Sequence, residues 1–160
     1  MPAYWLLRRK LGVATPPADR EEVDEWSSQG YSAAVSLLNE ADLPATWTSL
    51  DELHGYMEEK GFKLYWRPVL SKRAVPPAEA VRIARWIDQR IEEGRPTLIL
   101  CRRAWGRSAS LAAAYLVYKG ARPHEALRLV EEEARKTGND PPESEEQRKL
   151  PFAVAELLGL

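Results

Sequence analysis

Short apolar runs alternate along this chain with longer stretches whose apolar residues recur at helical spacing, and that alternation leaves few folds open. Ala33-Ala34-Val35-Ser36-Leu37-Leu38 and Thr97-Leu98-Ile99-Leu100 are too short for helices and read as strands of a covered sheet. Residues 4–7, 10–13 and 62–66 read as further short strands, the first two at an edge. Helical segments are expected over residues 19–28, 50–60, 77–93, 107–119 and from Pro123 on, with a last one ending near Leu158. In the third of these, Val81, Ala84, Ile87 and Ile91 share one face, and Gly61, Gly94 and Gly120 close three of the helices. Strand–helix alternation implies an α/β fold: a central, mostly parallel, twisted sheet flanked by helices on both faces. Functional groups in such sheets gather at the carboxyl edge, where the chain leaves Leu38, Trp66 and Leu100. With no repeat or linker, residues 1–160 are expected to form one domain.

Composition narrows the function classes. A single cysteine excludes an internal disulfide, and no apolar run suits a secretory signal or a membrane span, so a cytoplasmic location is expected. The formal net charge of -1 gives no global pull toward nucleic acid or membrane. Basic residues Arg67, Lys72, Arg73, Arg102, Arg103 and Arg107 fall in two segments expected to face each other. The acidic runs Glu131-Glu132-Glu133 and Glu143-Ser144-Glu145-Glu146 are expected to be solvated helix faces. Arginine far in excess of lysine, two asparagines and 12 prolines suit a thermophile. His54 and His124 have no second ligand at metal spacing, so neither a metal nor another cofactor is expected.

The strongest chemistry lies after the strand at 97–100. Cys101-Arg102-Arg103-Ala104-Trp105-Gly106-Arg107-Ser108 joins a strand end to a helix start, so the loop's N–H groups and the helix dipole point at one spot. The loop amides, the helix N-terminus and Arg107 all favour the Cys101 anion. That thiolate would attack phosphorus in line, forming a cysteinyl-phosphate that water hydrolyses. Arg107 would grip two phosphate oxygens with its fork, and the N–H groups of Arg102, Arg103, Ala104, Trp105, Gly106 and Arg107 would hold the equatorial oxygens. Ser108 would donate to the departing sulfur.

These residues resemble the signature of the cysteine-dependent protein tyrosine and dual-specificity phosphatases, in particular their small archaeal single-domain type. Cys101, Arg107 and Ser108 match its reactive positions. Val35 to Glu40 looks like that family's central strand and acidic loop, and Gly106 to Leu116 like the helix after its phosphate loop. Glu143-Ser144-Glu145-Glu146-Gln147 looks like the segment that supplies a water-positioning glutamine, here Gln147. The resemblance implies a phosphoric monoester hydrolase acting on phosphorylated proteins or small phosphate esters. Phosphate, sulfate or vanadate would occupy the same loop, and nucleic acid would enter only as a 5′-phosphate end.

Three positions depart from the family pattern. Leu100 replaces a histidine, Ala104 replaces a glycine, and residues 67–76 hold no carboxylate where the general-acid aspartate belongs. Ser71 takes that place, with Lys72 and Arg73 beside it on the substrate rim. Losing the acid costs about a hundredfold or more for a poor leaving group. Three readings follow: Glu40 or Asp42 supplies the proton; the substrate needs none, as with an acyl phosphate or an RNA 5′-triphosphate; or the protein binds phosphorylated partners with little turnover.

Overall fold

The computed structural model describes residues 3–142 and 144–160; Glu143 of the acidic run lies outside them. The chain divides into two compact units, Met1–Pro68 with Gln89–Ala104, and Val69–Asp88 with Trp105–Leu160. The fold is α/β, with five strands in one mostly parallel sheet and six α-helices among the described residues.

The first unit holds the whole sheet. Its strands are β1 (Tyr4–Leu7), β2 (Leu11–Ala14), β3 (Ala33–Ser36), β4 (Lys63–Trp66) and β5 (Thr97–Leu100), in the order β1-β2-β5-β3-β4. Only β1 runs antiparallel. Val13 and Val35 flank Ile99 in register, and Ser36 is level with Leu100. Successive side chains leave a strand on opposite faces. Ala34, Leu98 and Leu100 pack with Ala14 against Val23 and Trp26 of α1 (Arg20–Ser28) and Leu50, Leu53 and Met57 of α2 (Leu50–Glu59). Val13, Val35 and Ile99 point the other way and are also fully buried. Each such side chain contributes about 1.5–3 kcal/mol of burial.

The first residues of both helices follow from their caps. Asp19 accepts from Glu22 N, and Ser49 accepts from Glu52 N. One expectation fails here: β2 is an interior strand, buried throughout and paired on both sides, rather than an edge. Its run Leu11-Gly12-Val13-Ala14 has no polar alternation, as a parallel interior strand requires.

The second unit is helical. It holds most of α3 (Pro77–Glu92), then α4 (Arg107–Tyr118), α5 (Pro123–Lys136) and α6 (Glu145–Leu157). α4 is buried from Arg107 through Val117 and packs against α5 and α6. Tyr115 Oη (3.1 Å) and Lys119 Nζ (3.0 Å) both reach Asp88 Oδ1 on α3. Inside α6, Pro151 has no N–H for the carbonyl of Gln147 one turn back. Ser110 Oγ on α4 donates to that carbonyl instead, at 2.8 Å, which fastens α6 to α4 beside Gln147.

Candidate active site

In the first unit, the peptide joining Leu100 to Cys101 is clamped from both neighbouring strands. Leu37 N donates to Leu100 O at 2.9 Å on the β3 side, and Cys101 N donates to Ala14 O at 3.3 Å on the β2 side. Cys101 thus sits at the carboxyl end of a central strand, its thiol outside any disulfide and 1 % exposed. The carboxyl ends of β2, β3, β4 and β5 lie along one edge, as expected for Leu38, Trp66 and Leu100. Arg102 and Arg103 are exposed, whereas Ala104 is fully buried with φ 68, the left-handed region that favours glycine. Closing the loop there requires that turn, which explains the glycine of the family pattern and costs alanine about 1–2 kcal/mol.

Glu40 and Asp42 occupy a short 3-10 turn, Glu40–Asp42, just past β3. Both carboxylates are engaged as caps. Glu40 Oε1 and Oε2 accept from Leu50 N at the start of α2, at 3.2 and 3.3 Å. Asp42 Oδ2 accepts from Asn39 N at 2.8 Å.

In the second unit, Arg107 is the first residue of α4 and only 5 % exposed. Its Nη1 donates to Val69 O at 2.6 Å, at the start of the 69–76 loop. Gly106, the N-cap of α4, has no side chain to bond the first turn, which carries no acidic residue. That helix end is therefore suited to an anion. Ser108 is fully buried, and Trp105 is 1 % exposed.

Gln147 lies on the first turn of α6, 1 % exposed, with its amide atoms beside Gly106. Its Nε2 donates to Arg73 O at 3.1 Å. Neighbouring Glu146 accepts from Arg73 Nε at 2.7 Å and from Ala74 N at 3.1 Å. Glu146 is thus a latch on the 69–76 loop rather than a purely solvated residue, a role that its acidic surroundings hid. Ser71 and Lys72 are exposed on that loop, and Lys72 has φ 67.

Sequence reasoning missed one buried pair. His54 on α2 is 9 % exposed, and its Nε2 shares a hydrogen bond with Ser36 Oγ at 2.9 Å. Burial pushes the imidazole below the usual histidine range, against the opposing pull of Glu58, Asp51 and Glu40. No cluster of histidine, cysteine and carboxylate that could hold a metal occurs among the described residues.

Cys101 ending a central parallel strand, the left-handed turn at Ala104 and Arg107 opening α4 follow one another within seven residues. Known structures share the fold. Tk-PTP in its active form superposes with a TM-score of 0.79 at 28% identity over 97% of each chain. Kinase-associated phosphatase with its catalytic cysteine replaced by serine gives a TM-score of 0.80 at 18% identity, covering 99% of this chain and 94% of that one. TpbA of P. aeruginosa, solved with pTyr, gives 0.58 at 19% identity, over 92% and 86%. No family model matches the sequence, and no curated protein matches it. The chain has the fold of the cysteine-dependent protein tyrosine and dual-specificity phosphatases. No helix among the described residues is long and apolar enough to cross a membrane.

Proposed function

We propose that this protein hydrolyses phosphate monoesters through a cysteinyl-phosphate on Cys101, and that its preferred leaving groups depart without a proton from the enzyme. The support is the segment from Cys101 to Ser108, in which a buried thiol on a clamped strand end is followed by a buried arginine at an uncapped helix start.

In the first step the Cys101 sulfur forms a bond to phosphorus as the ester P–O bond breaks, and the leaving oxygen takes the bonding pair. Arg107 and the loop N–H groups hold the equatorial oxygens as charge shifts onto them. In the second step water, oriented by the Gln147 amide, attacks phosphorus. The S–P bond breaks with a hydrogen bond from Ser108 to sulfur, regenerating the thiolate and releasing inorganic phosphate.

Two observations favour an unassisted leaving group. Residues 67–76 carry no carboxylate, and both nearby carboxylates of the acidic turn are occupied by backbone donors. Aryl phosphates, acyl phosphates and polyphosphate ends fit that requirement, and exposed Arg102 and Arg103 suit a multiply charged ligand.

Incubation with p-nitrophenyl phosphate tests the reaction. A burst of nitrophenol, absent in Cys101→Ser, supports it; vanadate binding without any release replaces it with a phosphate-binding module. A series of aryl phosphates tests the leaving group. The rate is expected to fall steeply as the leaving group becomes more basic, with Glu40→Gln and Asp42→Asn close to the parent. A hundredfold loss in either variant would make that carboxylate the acid after all.

A further inference from the structure

We infer that the His54–Ser36 pair is a positioning device for the Cys101 loop, standing in from the neighbouring strand for the histidine that the family pattern places at position 100. The inference rests on the phosphocysteine reading for its purpose, and on geometry for its substance.

Buried polar side chains are few in the first unit, and this pair lies at its functional edge. Ser36 is fully buried, is level with Leu100 across the ladder, and directly precedes Leu37, whose N–H holds the Leu100 carbonyl at 2.9 Å. Residues level in register project to the same sheet face, so α2 places His54 on the face that Leu100 also uses. The leucine side chain at position 100 has no hydrogen-bonding atom, whereas His54 makes its bond to Ser36 on the adjacent strand.

The route to the nucleophile is short and contiguous. His54 fixes Ser36, Ser36 fixes the carboxyl end of β3, and that end clamps the peptide leading into Cys101. Trp66 braces the same corner: its ring lies 5.7 Å from the imidazole, and its Nε1 donates to Leu38 O at 2.9 Å. Leaving a polar pair unsatisfied in a core is costly, so a site that keeps one constrains its surroundings tightly. The loop amides converge on sulfur only if the strand end that starts the loop is held still.

The charged groups that bear on His54 are Glu58 and Asp51 on its own helix and Glu40 on the 3-10 turn; β4 contributes the uncharged Trp66 ring. Protonation in weak acid therefore meets burial on one side and three carboxylates on the other.

The chain's single cysteine makes the test direct. Iodoacetamide labelling of Cys101 is measured from pH 5 to 8, together with kcat and KM on p-nitrophenyl phosphate. Glutamine carries a nitrogen close to the imidazole Nε2 position, so His54→Gln keeps the bond to Ser36 but cannot titrate. His54→Leu and Ser36→Ala are expected to label about tenfold slower at pH 6 and to lower kcat with little change in KM. His54→Gln is expected to keep the parent rate at neutral pH and to flatten the profile on the acid side. Parent-like labelling in His54→Leu and Ser36→Ala, or a loss in His54→Gln as large as in His54→Leu, overturns the inference. If His54→Leu fails to fold, Ser36→Ala and His54→Gln decide it. Absence of a burst in the parent protein would strike the phosphatase reading alone, because the labelling comparison needs no turnover.

Discussion

Ser110→Ala removes the hydroxyl that serves the Gln147 carbonyl in place of the amide that Pro151 lacks. Ser110 is fully buried and Gln147 only 1 % exposed, so water does not readily replace the lost donor. A buried acceptor stripped of its donor costs about 1–3 kcal/mol. With a urea m-value of about 2 kcal/mol/M, the unfolding midpoint should fall by about 0.5–1.5 M. The sharper test is a cycle with Pro151→Ala. That substitution restores an N–H at the right position of α6 and removes the ring's contact with the same carbonyl. In the Pro151→Ala background, Ser110→Ala should therefore cost less, with a coupling of about 1–2 kcal/mol. Urea unfolding followed by tryptophan fluorescence supplies all four midpoints, the chain having six tryptophans. An equal cost of Ser110→Ala in both backgrounds would refute the idea that hydroxyl and amide serve one acceptor.

Four further outcomes are expected. Gly12→Ala would put a methyl 2.1 Å from Tyr31 Oη and 2.8 Å from the Tyr4 carbonyl, and the Tyr31 ring is stacked on Trp5 at 3.9 Å; thermal or urea unfolding should report a loss of about 1–3 kcal/mol. The Tyr31 hydroxyl is buried without a partner and its pKa is pushed well above the usual tyrosine value, so folding favours the protonated phenol and stability is lost as pH rises above about 10; Tyr31→Phe should flatten that alkaline loss in urea midpoints taken at neutral and high pH. For His54 the sign reverses: a depressed histidine favours folding above its unfolded value of about 6.5, and stability is lost as pH falls below it; His54→Gln should reduce that acid loss in the same experiment. Ala104→Gly relieves about 1–2 kcal/mol of left-handed strain but gives up a buried methyl worth about 0.8 kcal/mol and adds unfolded-state freedom; calorimetry should find stability within about 1 kcal/mol of the parent.

Local signals carried much of this structure into the sequence. Leu98-Ile99-Leu100 is an unbroken apolar run because β5 is buried throughout, and Asp19, Gly94 and Pro123 mark helix ends through a side-chain cap, a positive φ and a ring-fixed φ respectively. The segment from Cys101 to Ser108 stands out for the same reason: its cysteine, glycine, arginine and serine lie within eight consecutive residues. Contacts set by distant partners were not legible. β2 pairs with a strand that begins at Thr97, so nothing near Leu11 reveals whether it lies at an edge. Glu146 reads as one more solvated acid until Arg73 is brought to it. His54 looks like a lone helical histidine until α2 is laid over β3, and nothing local to Glu40 reveals that both its oxygens accept from the start of α2.

Strand order has a consequence for synthesis. The first 96 residues contain β1 paired with β2, and β3 paired with β4, but the slot between β2 and β3 belongs to a strand not yet made. Only when Thr97–Leu100 leaves the ribosome do the two pieces become one sheet, through pairings far apart in sequence that are slow to form. The thiol arrives on that closing strand. A nascent chain that stops before Thr97 therefore has neither the joined sheet nor the cysteine that follows the closing strand.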